Sequence, residues 1–337
     1  MGFEKLIEWY EKNKRDFPFR NTVDPYKIWV SEIMLQQTQV ETVIPFFNKF
    51  IKKYPEISNL ALDSIENVLN TVNGLGYYRR FRLMHKASKI IHKDYSNNFP
   101  NKYEDVIKLP GVGEYTAGAI MSFAYNKPYS ALDGNVIRVL SRLYEIELDV
   151  RLQSTKKKMN LINQKIIQNY NPRLYSNAMM ELGSQVCNPN NPQCEICPLS
   201  DICRANKSGN QIKYPIKSKK KPVKVLYFCT VILKYKNKIC LKKVKTKLYE
   251  GMYLFPQYEV EDLNSLEEIL ERKYEYRIID VKNDIKHKFS HQEWIMKPVL
   301  IELLKKPKEN LEFIKMNEIL KYPIPKAHLK IYDTIKM

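Results

Sequence analysis

From residue 3 to about 186, apolar residues recur at spacings of three and four. The runs Leu6-Ile7-Trp9-Tyr10, Val40-Val43-Ile44-Phe47 and Val136-Val139-Leu140-Leu143 show it best. That period puts one side of a helix against a core. Turn chemistry separates the runs at Tyr54-Pro55, Asn73-Gly74, Phe99-Pro100 and Asn171-Pro172. The pattern predicts an all-α domain over residues 1–203. Residues 204–224 are polar and end in Lys217-Ser218-Lys219-Lys220-Lys221-Pro222, which reads as a basic linker and a solvated tether. Beyond Val223 the period changes. Val225–Leu233 and Ile239–Val244 read as strands joined by a hairpin at Tyr235-Lys236-Asn237-Lys238. Leu263–Arg272 reads as a helix, and Tyr276–Ile285 and Trp294–Leu303 as strands. Residues 225–337 are therefore expected to form an α+β domain, and no internal repeat is visible.

A chain of 337 residues suits two domains, and 44% hydrophobic with 12% aromatic residues describes folded protein. No run of about eighteen apolar residues exists, so no membrane span is expected. Met1-Gly2-Phe3-Glu4-Lys5 lacks the apolar block of a signal peptide, and the expected location is cytoplasmic. The net charge of +19 suits a polyanionic partner, although an AT-rich genome also inflates lysine. Residues 1–224 hold 34 Lys and Arg against 21 Asp and Glu, and residues 225–337 hold 22 against 16. The larger excess lies on the helical side.

Chemistry concentrates in four places. Leu109-Pro110-Gly111-Val112-Gly113 reads as a tight hairpin between helices. Gly111 and Gly113 permit positive φ, and the next helix, from Glu114, offers unpaired N–H groups to a phosphate. Leu132-Asp133-Gly134-Asn135 follows, with Asp133 placed to cap a helix from Val136 and so to stay anionic. Glu32 lies in the apolar run Ile28-Trp29-Val30-Ser31-Glu32-Ile33-Met34-Leu35, sharing a helical face with Gln36 and Gln39. A carboxyl in such company has a raised pKa and suits a general acid; alone, it would read as a surface residue. Cys187, Cys194, Cys197 and Cys203 form C-x6-C-x2-C-x5-C, which calls for a metal or a disulfide pair. An intracellular setting disfavours disulfides, and zinc ribbons show two C-x-x-C knuckles where this chain has one. Cys229 and Cys240 lie in expected strands and read as small buried apolar residues.

Leu109–Gly118 resembles the helix-hairpin-helix of the endonuclease III superfamily of DNA glycosylases. Ser31-Glu32-Ile33-Met34-Leu35-Gln36-Gln37-Thr38-Gln39-Val40 and Gly74-Leu75-Gly76-Tyr77-Tyr78 resemble, more narrowly, the MutY adenine glycosylases. The similarity runs from about Trp9 to Cys203, with a weaker match at Phe289-Ser290-His291. The resemblance implies a helix-hairpin-helix glycosylase domain whose four cysteines hold a [4Fe–4S] cluster as a brace of the 187–203 loop. Glu32 would protonate adenine at N7. Asp133 would stabilise an oxocarbenium ion or bond transiently to C1′, with Asn135 orienting the pair. Tyr115 occupies the position that is lysine, the Schiff-base nucleophile, in strand-cutting relatives. Ile137 departs from a lysine found in some members. Gln37 and Tyr77 match residues that wedge into the base stack while the adenine is flipped out, supported by Leu75 and Tyr78. The C-terminal domain resembles a Nudix-like domain without the acidic signature of working Nudix hydrolases. It would read 8-oxoguanine through Phe289, Ser290 and His291.

The expected function is base excision repair by a monomeric adenine DNA glycosylase, nucleoid-associated, on double-stranded DNA with A:8-oxoguanine or A:G mispairs. One alternative is an endonuclease III-like glycosylase/AP lyase for oxidised pyrimidines, against which Tyr115 and the C-terminal domain speak. The other is a non-catalytic Fe–S DNA-binding protein, against which Glu32 and Asp133 speak.

Overall fold

The computed structural model describes residues 2–218, 222–246, 248–289, 292–307 and 311–336. Two compact units emerge from it. One is Met1–Leu62 with Lys86–Lys220, and the other is Asp63–His85 with Lys221–Met337.

The first unit is helical, as its period requires. Its core gathers Leu6 and Tyr10 from the Glu4–Asn13 helix, Val139 and Leu140 from Gly134–Tyr144, and Tyr175, Met179 and Leu182 from Pro172–Gln185. Local chemistry fixes where helices begin. Asp24 accepts from the Tyr26 N–H, with Pro25 at the first helical position. Asn171 and Pro172 repeat the arrangement, with the Leu174 N–H donating to Asn171 at 3.1 Å. The hairpin joins the one-turn Tyr103–Val106 helix to Glu114–Phe123. On the latter, a Cβ at Gly118 would stand 2.0 Å from the Ser130 carbonyl oxygen. Only glycine lets that helix lie on the segment leading to Asp133.

The linker is not a free tether along its length. Residues Arg204–Ser208 form a short helix and Gln211–Lys213 a 3-10 turn. Ile216 accepts from the Val150 N–H at 3.1 Å, and the Ser218 N–H donates to Asp149 at 3.2 Å. Hydrogen bonds to the 149–151 turn thus order the chain as far as Ser218. The lysines at 219–221 lie outside the described residues.

In the second unit the Lys224–Tyr235 strand runs parallel to Gln292–Leu303 and antiparallel to Lys238–Lys243, through a turn with Lys236 at φ +53°. The expected Tyr276–Ile285 strand is two strands, Tyr276–Val281 and Ile285–Lys288. The chain leaves the sheet edge between them, where the Lys282 N–H donates to Pro298 at 2.9 Å. Asp262 caps the Leu263–Glu271 helix, which buries Leu266 and Leu270 with Val231, Cys240, Val299 and Ile301. Cys229 and Cys240 are buried, as expected. The Lys326–Asp333 helix and the Glu312–Lys315 strand gave no signal strong enough to predict.

Residues 63–85 join this unit although they lie inside the expected first domain. Lys243 pairs with Glu66 at 2.7 Å, and Asn70 donates to the Lys321 carbonyl at 3.2 Å. Arg82 donates to the Glu250 carbonyl at 2.5 Å. Among the described residues no helix is long and apolar enough to cross a membrane.

Candidate active site

The Pro25–Leu35 helix is buried on all sides from Ile28 to Met34, and Glu32 sits there only 6% exposed. The Tyr115 hydroxyl, one residue into the Glu114–Phe123 helix, donates to Glu32 Oε2 at 2.6 Å. Burial pushes the Glu32 carboxyl up to about 7. The Tyr115 hydrogen bond pulls down, the Asp133 carboxylate pushes up and Arg20 pulls down. Glu32 therefore keeps its proton at pH values where an ordinary carboxyl has lost it. The shared face with Gln36 and Gln39 does not form, because the helix ends at Leu35. Gln36 has extended ψ, Gln37 takes φ +58°, and Gln39 stands just ahead of the Val40–Lys53 helix without a side-chain capping bond. Gln36 and Gln37 instead border the same cavity as Glu32.

That cavity, about 560 Å³, also contains Tyr115, Asp133 and Asn135 on its wall. Asp133 caps the Gly134–Tyr144 helix, accepting from the Val136 N–H at 2.7 Å and from Asn135 Nδ2 at 3.0 Å. The cap favours the anion, as expected, but burial acts against it. Burial raises the Asp133 carboxyl, and the Val136 and Asn135 bonds only moderate that rise. Arg138 fixes Asn135 in turn. Its Nη2 donates to Asn135 Oδ1 at 2.9 Å and to the Gly183 carbonyl at 2.6 Å, and its Nε donates to the Cys187 carbonyl at 2.8 Å. A Cβ at Gly183 would lie 2.6 Å from Asn135 Cβ. Glycine there is what allows the two helices to meet.

Sequence reasoning missed a second part of the wall. Glu181 is fully buried, accepts from Arg15 Nε at 2.5 Å, and pairs with Arg20. Burial pushes Glu181 up, but the Arg15 hydrogen bond and the Arg20 charge outweigh it, leaving the carboxyl below its ordinary value. Both guanidinium groups lie over the Phe17 ring, at 4.9 and 5.1 Å, and both arginines border the cavity. The available signal was a carboxylate in the apolar run Met179-Met180-Glu181-Leu182, the same signal that singled out Glu32.

In the hairpin, Gly111 has φ +82°, as expected. Gly113 does not need glycine for its backbone: φ is −102° and ψ 178°. A Cβ there would meet nothing within 4 Å, so no contact inside the fold demands glycine. Open space in front of a helix N-terminus suits close approach by an external anion.

In the second unit, Tyr77 is 48% exposed and takes a left-handed φ of +49°, while Leu75 is buried beneath the turn. Phe289 packs against Trp294 at 4.9 Å, His287 at 4.7 Å and Tyr249 at 6.1 Å between ring centroids. Its N–H donates to the Gln292 carbonyl at 2.8 Å. Ser290 and His291 lie outside the described residues.

Cys187, Cys194, Cys197 and Cys203 border one small cavity beside Arg142. Among the described residues, no three His, Cys, Asp or Glu are grouped as ligands of a single ion would be. A four-iron cluster takes one thiolate at each corner and so spreads its ligands. Burial, with smaller contributions from the neighbouring Cys187 and Cys203, pushes the Cys197 thiol up to about 12. A bound cationic metal would hold Cys197 as a thiolate. Arg142, 2% exposed, donates to Cys187 Sγ at 3.3 Å and to the Asn188 and Pro189 carbonyls at 2.7 and 2.8 Å. The loop fits the group that the resemblance implies.

The HhH-GPD superfamily of base excision DNA repair proteins matches residues 30–169, and the NUDIX domain matches residues 228–334. An adenine DNA glycosylase of Buchnera aphidicola subsp. Baizongia pistaciae is 36% identical over 303 residues, covering 89% of this chain and 85% of the relative. The chain belongs to the adenine DNA glycosylase family. An Arabidopsis thaliana member is 33% identical and aligns with 74% of this chain and 46% of its own length. Among solved structures, a thermostable thymine-DNA glycosylase superposes with a TM-score of 0.56 at 26% identity, over 61% of this chain and 94% of that one. A trapped endonuclease III–DNA covalent intermediate shares the fold, with a TM-score of 0.53 at 22% identity, over 61% and 94%.

Proposed function

We propose that the chain removes adenine paired with 8-oxoguanine, or with guanine, from double-stranded DNA, acting as a monomer. The observation that carries the reading is Glu32, a buried carboxyl holding its proton up to about pH 7 in one cavity with Asp133. A flipped adenine enters that cavity. Glu32 gives its proton to N7, so the electrons of the breaking C1′–N9 bond pass to a base that leaves neutral. Positive charge develops on the sugar, where Asp133, held by the Val136 N–H and Asn135, stabilises it. Water then adds to C1′. Residue 115 is a tyrosine without an amine, so no Schiff base forms there and strand cutting is weak.

Gly111 and Gly113 open the hairpin to a backbone phosphate. Gln37 and Tyr77 are the two exposed non-glycine residues at positive φ that match the wedge positions, and they enter the base stack. Phe289, Ser290 and His291 form the reader of the partner base, on a domain that recognises and does not hydrolyse. Cys187, Cys194, Cys197 and Cys203 hold a [4Fe–4S] cluster. The cluster supplies a brace for the loop and no chemistry at the base.

The test is a single-turnover assay on duplexes carrying A:8-oxoguanine, A:G, A:T or an oxidised pyrimidine, with and without alkali. Adenine release that needs alkali for strand breakage supports the reading. Pyrimidine release with cutting in its absence overturns it.

A further inference from the structure

The discontinuous second unit brings together the two segments assigned to the partner base, and a half-buried Arg82–Glu250 contact fastens them. Arg82 lies in the first turns of the Arg79–Asp94 helix, three residues after Arg79 and five after Tyr77. Its side chain is only 10% exposed. The guanidinium donates to the Glu250 carbonyl at 2.5 Å and stands 3.7 Å from the Glu250 carboxylate. Next to Glu250, Tyr249 is 6% exposed and packs on Trp294 and Phe289. Leu69 lies against Gly251, where an added Cβ would be 3.6 Å away. A short path therefore runs from Tyr77 along the chain to Arg82, by hydrogen bond to the 249–251 turn, and by ring packing from Tyr249 to Phe289.

We propose that the Arg82–Glu250 pair is a specificity-determining positioning element: it holds the exposed Tyr77 and Phe289 in one register, so that both meet the same partner base. Neither residue touches DNA in this account. A buried guanidinium needs acceptors, because its desolvation is otherwise uncompensated. Glu250 supplies both a carbonyl and a charge. Lysine at 82 keeps the charge and its donors but lacks the rigid planar fork that fixes the geometry of two contacts at once.

The inference rests on the proposed reading of the partner base, and the experiment separates the two. Single-turnover adenine release is measured on A:8-oxoguanine and A:G duplexes at one salt concentration for wild type, Glu250→Gln and Arg82→Lys. The Glu250 carboxylate is 58% exposed, so Glu250→Gln leaves the fold intact. Its ratio of the two rates is expected to fall about two- to fivefold, the scale of one partly exposed ion pair. The A:G rate should hold, and Arg82→Lys should fall between wild type and Glu250→Gln. A wild type that shows no preference for 8-oxoguanine defeats the reading of the partner base. A wild type that shows it, with variants that keep the same ratio or lose both rates equally, defeats the positioning role.

Discussion

Glu32→Gln removes the proton donor with little change of shape, and the structure gives two magnitudes for it. The first concerns folding. In the unfolded chain the carboxyl ionises near 4.5, and in the folded chain near 7. Between those values the unfolded state has lost the proton that the native state keeps, so wild-type stability falls as pH rises, and it is level again above 7. The full cost is about 3 kcal/mol once pH passes 7. Glutamine does not titrate. Urea unfolding of both proteins under argon at pH 5 and pH 8 should show the gap moving in favour of the variant by about 2–3 kcal/mol. The second magnitude concerns chemistry. Loss of a general acid lowers rates by about 10²–10⁴. The wild-type single-turnover rate should also decline above pH 7, as Glu32 ionises, while duplex binding stays. A stability gap equal at the two pH values contradicts the buried, protonated carboxyl. A variant that keeps more than about a tenth of the wild-type rate contradicts its role as acid.

Tyr115→Phe deletes a hydrogen bond that lowers the Glu32 pKa, so the alkaline limb of the rate profile should move up by as much as about one pH unit; a limb that stays put or moves down refutes the assignment. Purified protein should be yellow-brown, absorb broadly near ~400 nm and hold about four irons per chain. Zinc in place of iron after anaerobic preparation removes the cluster from the account. Ser290→Ala should reduce the preference for 8-oxoguanine over guanine severalfold, the loss of one hydrogen bond being worth about 0.5–1.5 kcal/mol. An unaltered rate ratio on the paired duplexes would rule out Ser290 as the reader.

The site was legible where its chemistry is local in the chain. Asp133 with Asn135, the cysteine spacing and Tyr115 each sit in a short motif, and Glu32 stood out as a carboxyl within an apolar helix. What escaped depends on residues far apart. Arg15 and Arg20 meet Glu181 across some 160 positions, at separations of 166 and 161, and no local period encodes such a meeting. The sign of the Asp133 shift escaped for a related reason: the cap is local and lowers it, while burial is tertiary and wins. The same applies to the linker, whose order comes from the 149–151 turn rather than from its own polar composition. Gln36 and Gln39 were misplaced by extending a helix past Leu35, where positive φ at Gln37 turns the chain.

Residues 63–85 belong with a body whose remainder begins at Lys221, and this has a consequence for how the chain is made. Everything from Lys86 to Lys220 leaves the ribosome in between, roughly ten seconds of synthesis. During that interval Leu69 has no Gly251 turn to lie against and Arg82 lacks its contact to Glu250, so the segment waits with apolar surface uncovered. Premature termination after the linker leaves the same segment permanently in that state. A shortened chain then loses more than its last domain, since it retains a piece of a body that can no longer close. Damage to the last third of the message should accordingly be read out as instability in the first third of the protein.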